Sequence, residues 1–197
     1  MNDNNDAPAE AKMCRCSLFE QLEWIKAAGY QPGISAMNCQ LCRLPQIVVK
    51  MKFRPHPYEF KGDLFECKDS LAHCVSVDLA MSKGIAVGFR DRFGGLDELR
   101  SQRGSVGNVV YLHDKPGNRY IYYLITKQNY WGKPTYASLE KCLEALRDLC
   151  LKHGTERLAM PRIGCGLDRL RWDTVRASIR RVFPDSGQIQ VSIFSLD

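Results

Sequence analysis

From Tyr58 onward the chain alternates short apolar runs with stretches of helical periodicity, and few architectures accept that rhythm. The run "YIYYLIT" (120–126) is aromatic and aliphatic almost throughout, so it has no polar face to give to water. Apolar strands of this kind, alternating with helices, imply a central, mostly buried sheet with helices on both faces. "DSLAHCVS" (69–76), "RLAMP" (157–161) and "QIQVSIFSL" (188–196) read as further strands, and "YEFKGDLF" (58–65) as a strand running into a loop. "VGNVVYLH" (106–113) joins the central run through "DKPGN", a Pro-Gly turn signal. Between the strands, "KGIAVGFRDRFGG" (83–95) reads as a helix closed by Gly94 and Gly95, and "LDELRSQRG" (96–104) as a shorter one. The clearest helix is "PTYASLEKCLEALRDLCLKHG" (134–154): Thr135 caps it, Leu139, Leu143, Leu146 and Cys150 share its apolar face, and Gly154 stops it. A last helix runs from Trp172 to about Phe183. The expected fold class is therefore α/β, a central sheet with helices on both faces and ligands beyond the carboxyl ends of the strands.

The first 57 residues follow no such rhythm and are read as an N-terminal extension to a domain spanning 58–197. Residues 1–12 are polar and carry no apolar anchor, so they are expected to be disordered. "SLFEQLEWIKAAGY" (17–30) reads as a helix with Ser17 and Glu20 at capping-box spacing, and "QPGISAMNCQLC" (31–42) as loop. "QIVVKMKF" (46–53) reads as a strand ended by Pro55 and Pro57. Cys14, Cys16, Cys39 and Cys42 form two close pairs, which could hold a tetrahedral zinc ion or be unpaired thiols on a packing helix. Nine cysteines, an odd count, argue against a complete disulfide framework. No apolar run reaches the roughly 18 residues of a membrane helix, and the acidic start lacks the features of a secretory signal. The expectation is a protein inside the cell, with no membrane partner. A net charge of +6 suits an anionic partner, although such a charge also serves solubility alone.

Three places carry chemistry. "MPRIGCGLDRL" (160–170) sets two glycines and an aspartate at a strand-to-helix junction. Glycine lets a backbone approach a ligand closely, and a helix start favours phosphate. The pattern is neither a Walker loop nor the dinucleotide fingerprint, so it reads as a phosphate-bearing ligand's loop or simply a tight turn. Asp168 there either belongs to such a ligand loop or is a mere helix cap. Lys127 arrives where its strand should end; it is a solvated lysine or, if neutral, an amine able to attack a sugar's anomeric carbon. Asp63 in "KGDLF" is an Asx-turn residue or an acceptor for an adenine amino group. His73 and Cys74 lie on an apolar strand with no sign of an activated thiol. Tyr130 and Trp131 in "QNYWG" cover either a base or the core edge.

Taken in order, "KGDLF", "DSLAHCVS", "KGIAVGFRDRFGG", "YIYYLITK", "KPTYASL" and "MPRIGCGLDRLRW" resemble the macrodomains, and among them the terminal ADP-ribose protein glycohydrolase subfamily. The resemblance covers Tyr58 to the end; the first 57 residues have no counterpart in it. It implies a three-layer α/β/α fold with a mixed sheet, and an ADP-ribose cleft across the strand ends. It implies removal of ADP-ribose from glutamate or aspartate side chains, with ester turnover such as O-acetyl-ADP-ribose deacylation at the same site. By the same resemblance Lys127 is the nucleophile and Asp168 the acid/base. Asp63 contacts the adenine amino group, with the Leu64 backbone and Leu196 beside the base. Ser76 and the loop around Gly84 face the phosphates, and the backbone of Arg162, Ile163, Gly164, Cys165, Gly166 and Leu167 wraps the diphosphate and distal ribose. Lys83 stands where relatives often have a small residue, so it pairs with phosphate or crowds the ribose. No cofactor or metal is implied. The implied setting is a monomer in the nucleus or cytoplasm, in the DNA damage response, acting on ADP-ribosylated proteins or also on ADP-ribosylated nucleic acid. Two competing readings are a non-catalytic ADP-ribose reader and a zinc-dependent nucleic-acid module built on residues 1–57.

Overall fold

The structure, a computed structural model, describes residues 10–13, 31–38, 45–52 and 56–196. The chain divides into two compact units, Met1–Pro55 and His56–Asp197. The first contains an antiparallel sheet of β1 (Glu10–Met13), β2 (Gln31–Asn38) and β3 (Pro45–Lys52), with β3 in the middle. Two expectations are corrected here. The stretch expected to be loop is β2, and the end of the segment expected to be disordered is β1. Neither has strand-like composition, and β2 contains Pro32 and Gly33; pairing with the Ile/Val-rich β3 supplies what propensity does not. Both are edge strands, where a proline is tolerated. The helix expected over 17–30 and the cysteine pairs at Cys14, Cys16, Cys39 and Cys42 lie outside the described residues.

The second unit is built on a six-stranded sheet of β4 (Tyr58–Lys61), β5 (Ser70–Ser76), β6 (Val109–Asp114), β7 (Arg119–Lys127), β8 (Arg157–Pro161) and β9 (Gln190–Ser195). Its order is β4-β9-β8-β5-β7-β6; every pairing is parallel except β6 with β7, the hairpin announced by Pro116-Gly117. Four helices cover it: α1 (Ile85–Phe93), α2 (Leu96–Ser101), α3 (Tyr136–His153) and α4 (Trp172–Val182).

Alternation along the central strands separates two cores. Leu71 and Val75 of β5 and Ile121, Tyr123 and Ile125 of β7 pack with Phe89 of α1 and Leu99 of α2. Ala72, Tyr122 and Leu124 point the other way, onto Leu139, Leu143 and Leu146 of α3 and Val175 and Ile179 of α4. The sheet is thus covered on both faces, and each fully buried leucine of α3 contributes about 1.5–3 kcal/mol. A reciprocal capping box starts α3: Thr135 Oγ1 accepts from Ser138 N–H at 3.0 Å, and Ser138 Oγ accepts from Thr135 N–H at 3.1 Å. His73 is buried in the first core, stacked on Phe89 at 3.8 Å between ring centroids. Neither of its ring nitrogens has a hydrogen-bond partner among the described residues, and burial pushes its pKa down to about 3.

Candidate active site

The carboxyl ends of β4, β9, β8, β5 and β7 open into one cleft of about 1310 Å³. Between β4 and β7 lie four interstrand steps of about 4.8 Å, so the cleft runs roughly 19 Å across the sheet. That length suits an extended dinucleotide-sized ligand better than a single sugar.

At the β4 end, Gly62 N–H donates to Ser195 O at 2.9 Å, which brings Asp63 and Leu64 beside Leu196. Asp63 is exposed and Oδ1 accepts from Phe65 N–H at 2.9 Å, capping a one-turn 3-10 helix over Leu64–Glu66. It is therefore an Asx-type cap that also lines the cleft. Leu64 is buried beneath it, and Leu196 is exposed on the rim. Phe65 reaches the cleft because α1 carries Gly88: a Cβ there would lie 2.7 Å from the Phe65 ring. Arg92 covers the same ring at 4.4 Å.

In the middle, α1 begins at Gly84, whose φ of 62° suits glycine and which offers no side-chain cap. The orphan N–H groups of the first turn, at residues lining the cleft, form a natural anion site. Opposite them, the loop after β8 folds on itself: Cys165 N–H donates to Arg162 O at 3.2 Å, Leu170 N–H to Gly164 O at 2.8 Å, and Arg169 N–H to Gly166 O at 3.1 Å. Gly164 holds φ 71°. Gly166 has no strained dihedral, and a Cβ there would meet nothing within 4 Å. Lys83 is exposed and lines the cleft before Gly84.

At the far end, Lys127 closes β7 in register with Ser76, and its carbonyl accepts from Val77 N–H at 3.0 Å. Lys127 Nζ donates to Asp168 Oδ1 at 2.6 Å, and the two side chains are only 14% and 13% exposed. An amine and a carboxylate, 41 positions apart in the chain, thus share a proton's reach in a nearly dry corner of the cleft. Asp168 is not the cap of α4; that position belongs to Arg171.

All the residues singled out from Tyr58 onward as candidates for binding or chemistry at this site line this one cleft: Lys127, Asp168, Asp63, Leu64, Ser76, Gly84, the 162–167 loop and Leu196. Two details differ from the simplest reading. The Ser76 hydroxyl is turned to Asp78, donating to Oδ1, rather than aimed at open space. Cys74 also lines the cleft, but burial, followed by the neighbouring Cys142 and Asp168, pushes its thiol well up, so it is no thiolate nucleophile. Among the described residues no group of three or more His, Cys, Asp or Glu is arranged to hold a metal.

Asp78 is the residue that motif reading passed over. Its Oδ1 accepts from Ser76 Oγ and Ala80 N–H, and its Oδ2 accepts from Tyr130 N–H at 3.0 Å. Partial burial opposes the charged carboxylate, yet these hydrogen bonds and the Lys127 charge hold its pKa below the usual range. It ties the turn after Lys127 to the end of β5. A carboxylate two residues past a buried strand, on the ligand side of a parallel sheet, was the available signal.

The macro domain family model matches residues 71–179, more than half of the chain. Human ADP-ribose glycohydrolase OARD1 is 52% identical over 138 residues, covering 69% of this chain and 89% of that protein. The bovine protein of the same name is 51% identical over the same shares. Among solved structures, the macrodomain of Thermus aquaticus DarG aligns with a TM-score of 0.64 at 21% identity, covering 70% of this chain and 96% of that one. The Trypanosoma brucei macrodomain in complex with ADP-ribose gives 0.53 at 14% identity, covering 71% and 63%. The two structural likenesses speak for the fold; with the family model and the half-identical relatives, they establish that the chain belongs to the macrodomain family.

Proposed function

We propose that this protein is an ADP-ribose glycohydrolase that releases ADP-ribose from glutamate or aspartate side chains of modified proteins, by way of a lysine adduct. The observation that carries the chemistry is the 2.6 Å contact between Lys127 Nζ and Asp168 Oδ1 inside the cleft. The relatives named ADP-ribose glycohydrolase support the activity, and the macrodomain solved with ADP-ribose supports the ligand. With the adenine at Asp63 and the diphosphate between the α1 start and the 162–167 backbone, the distal ribose arrives at Lys127. Asp168 takes a proton from Nζ, and the neutral amine attacks the anomeric carbon. The bond to the protein carboxylate breaks, the carboxylate leaves with the bonding electron pair, and a ribosyl-lysine remains. Asp168 passes the first proton to the departing carboxylate and so to solvent. Water then adds at the same carbon, Asp168 accepts its proton, the C–N bond breaks to free ADP-ribose, and the returning lysine amine takes that proton back from Asp168. The sum is one water consumed per ester cleaved. Small esters on the anomeric oxygen of ADP-ribose would follow the same course.

A purely binding role is the second reading, since the fold alone never proves turnover. The Lys127–Asp168 contact is what argues against it, because binding needs no amine paired with a carboxylate at the ribose end. A release assay on glutamate-linked mono-ADP-ribosylated protein separates the two. Lys127→Ala is expected to lose release while still binding free ADP-ribose, and borohydride is expected to trap a sugar on Lys127 of the unaltered protein by reducing the Schiff base that the ribosyl-lysine forms when its ring opens. Normal turnover by Lys127→Ala, or an adduct mapped to another residue, overturns the assignment.

A further inference from the structure

The turn after Lys127 carries two large aromatic side chains that the chemistry above leaves unused. Tyr130 is 51% exposed and Trp131 is 67% exposed, their rings meet edge-on at 4.8 Å, and both line the cleft. Exposed aromatics on a loose loop would say little. This turn is held at three points. Tyr130 N–H donates to Asp78 Oδ2 at 3.0 Å, Gly132 N–H donates to Asn129 O at 3.0 Å, and Lys133 Nζ donates to Leu167 O at 2.9 Å. It therefore bridges the end of β5 and the loop that carries Asp168. A side chain at Gly132 would meet Asn129 O at 3.1 Å and the Lys127 Cβ at 3.9 Å, so the turn lies directly against the reacting lysine.

Position decides what the platform touches. The turn follows β7, four strands from the Asp63 end of the cleft. A ligand laid from Asp63 to Lys127 has already placed its last sugar at Lys127, so the next group outward is the acceptor to which that sugar is attached. We propose that Tyr130 and Trp131 form an acceptor subsite, which holds an acidic segment of the ADP-ribosylated polypeptide beside the scissile ester. This rests on the hydrolase reading and names what that site recognises beyond ADP-ribose. Preorganised, exposed Trp and Tyr are the side chains that most often anchor a partner chain at low entropic cost. The acidic character follows from charge: Lys133, in the same turn, is exposed, lines the cleft and has no carboxylate partner among the described residues. Segments rich in glutamate and aspartate are also where an ester acceptor occurs.

The test compares kcat/KM of the full chain on three substrates: a glutamate-linked ADP-ribosyl peptide with acidic flanks, the same peptide with neutral flanks, and the acetyl ester of ADP-ribose, whose acceptor is too small to reach the turn. For Trp131→Ala the ratio of acidic-peptide to acetyl-ester kcat/KM is expected to fall about tenfold. Lys133→Gln is expected to lose the severalfold preference of the unaltered protein for acidic over neutral flanks. An unchanged ratio in Trp131→Ala overturns the subsite, and so does an unaltered protein without preference between the flanks. A Trp131→Ala defect seen on an ADP-ribosylated oligonucleotide but not on the peptide would assign the platform to nucleobases instead and overturn the polypeptide. If the unaltered protein hydrolyses the acetyl ester, the failure belongs to the subsite alone. If it releases nothing from any substrate, the hydrolase reading falls and the subsite with it.

Discussion

Gly164 and Gly166 stand two residues apart in one loop, and the structure gives them opposite reasons for being glycine. Gly164 holds φ 71°, and an added Cβ would lie 2.8 Å from Leu170 Cδ1. Gly164→Ala therefore places an L side chain in the left-handed region, at about 1–2 kcal/mol. The Leu170 contact is with the end of a half-buried, flexible side chain and can give. For a chain of this size that corresponds to a melting temperature lower by about 2–8 °C. Gly166 has neither constraint: its φ is ordinary and a Cβ would meet nothing. Gly166→Ala should leave stability unchanged or raise it by about 0.4–1 kcal/mol through the unfolded state, up to about 4 °C. What a methyl there would occupy is the open cleft, where the diphosphate is expected against the backbone. If it costs one charge-assisted hydrogen bond of about 1.5–3 kcal/mol, affinity for ADP-ribose falls about 10- to 150-fold. Calorimetric titration with ADP-ribose and a thermal melt of both variants read the two effects separately. Full-affinity binding by Gly166→Ala would refute the reasoning, because the phosphates would then not run along this loop. A Gly166→Ala protein that melts well below the unaltered one would refute it from the other side.

Other outcomes follow from the same geometry. Asp168→Asn keeps the shape of the pair but not the proton acceptor, so release of ADP-ribose should fall by about 100-fold or more, while titration still detects ADP-ribose binding. His73 is neutral in the folded protein because burial lowers its pKa from 6.5 to about 3, whereas the unfolded chain takes up a proton below 6.5. Stability contributed by this residue is thus complete above pH 6.5 and is lost as pH falls toward 3, at about 1.4 kcal/mol per unit. Denaturant unfolding between pH 7 and 5 should show this slope, and His73→Leu should flatten it. Thr135→Ala removes one half of the α3 capping box and should cost about 1 kcal/mol in the same assay, with the Lys127 chemistry intact.

The sheet and its helices were legible because their signals are local and strong. The apolar run 120–126 had no face for water, and residues 121–126 are buried without a break. Thr135, the spacing of Leu139, Leu143 and Leu146, and Gly154 marked both ends and the inner face of α3 without any tertiary information. The first unit was less legible for the complementary reason. Residues 10–13 and 31–38 are strands by virtue of their partner at 45–52, and neither composition nor periodicity encodes a partner.

The site divides along the same line. A glycine loop at a strand end, a lysine at another and an aspartate at a third were each visible, and each carried an ordinary explanation. What turns them into a site is convergence, and convergence is set by strand order. β4 and β7 are separated by β9, β8 and β5, so Asp63 and Lys127 mark the two ends of the cleft, although the 63 residues between them in sequence say nothing of the distance. Lys127 and Asp168 meet because β8, which leads into the aspartate loop, lies one strand away from β7 across β5. Asp78 escaped notice because its importance lies wholly in what it accepts: a hydroxyl from its own strand end and an amide from a turn 52 residues later. If that carboxylate positions the turn rather than merely solvating the loop, Asp78→Ala should release Tyr130 and Trp131 together. Trp131 fluorescence anisotropy should then drop, and kcat/KM on an ADP-ribosyl peptide should fall further than kcat/KM on the acetyl ester. Equal losses on both substrates with an unchanged anisotropy would place the role of Asp78 at Ser76 and Lys127 instead, and would leave the turn held by its Gly132 and Lys133 contacts.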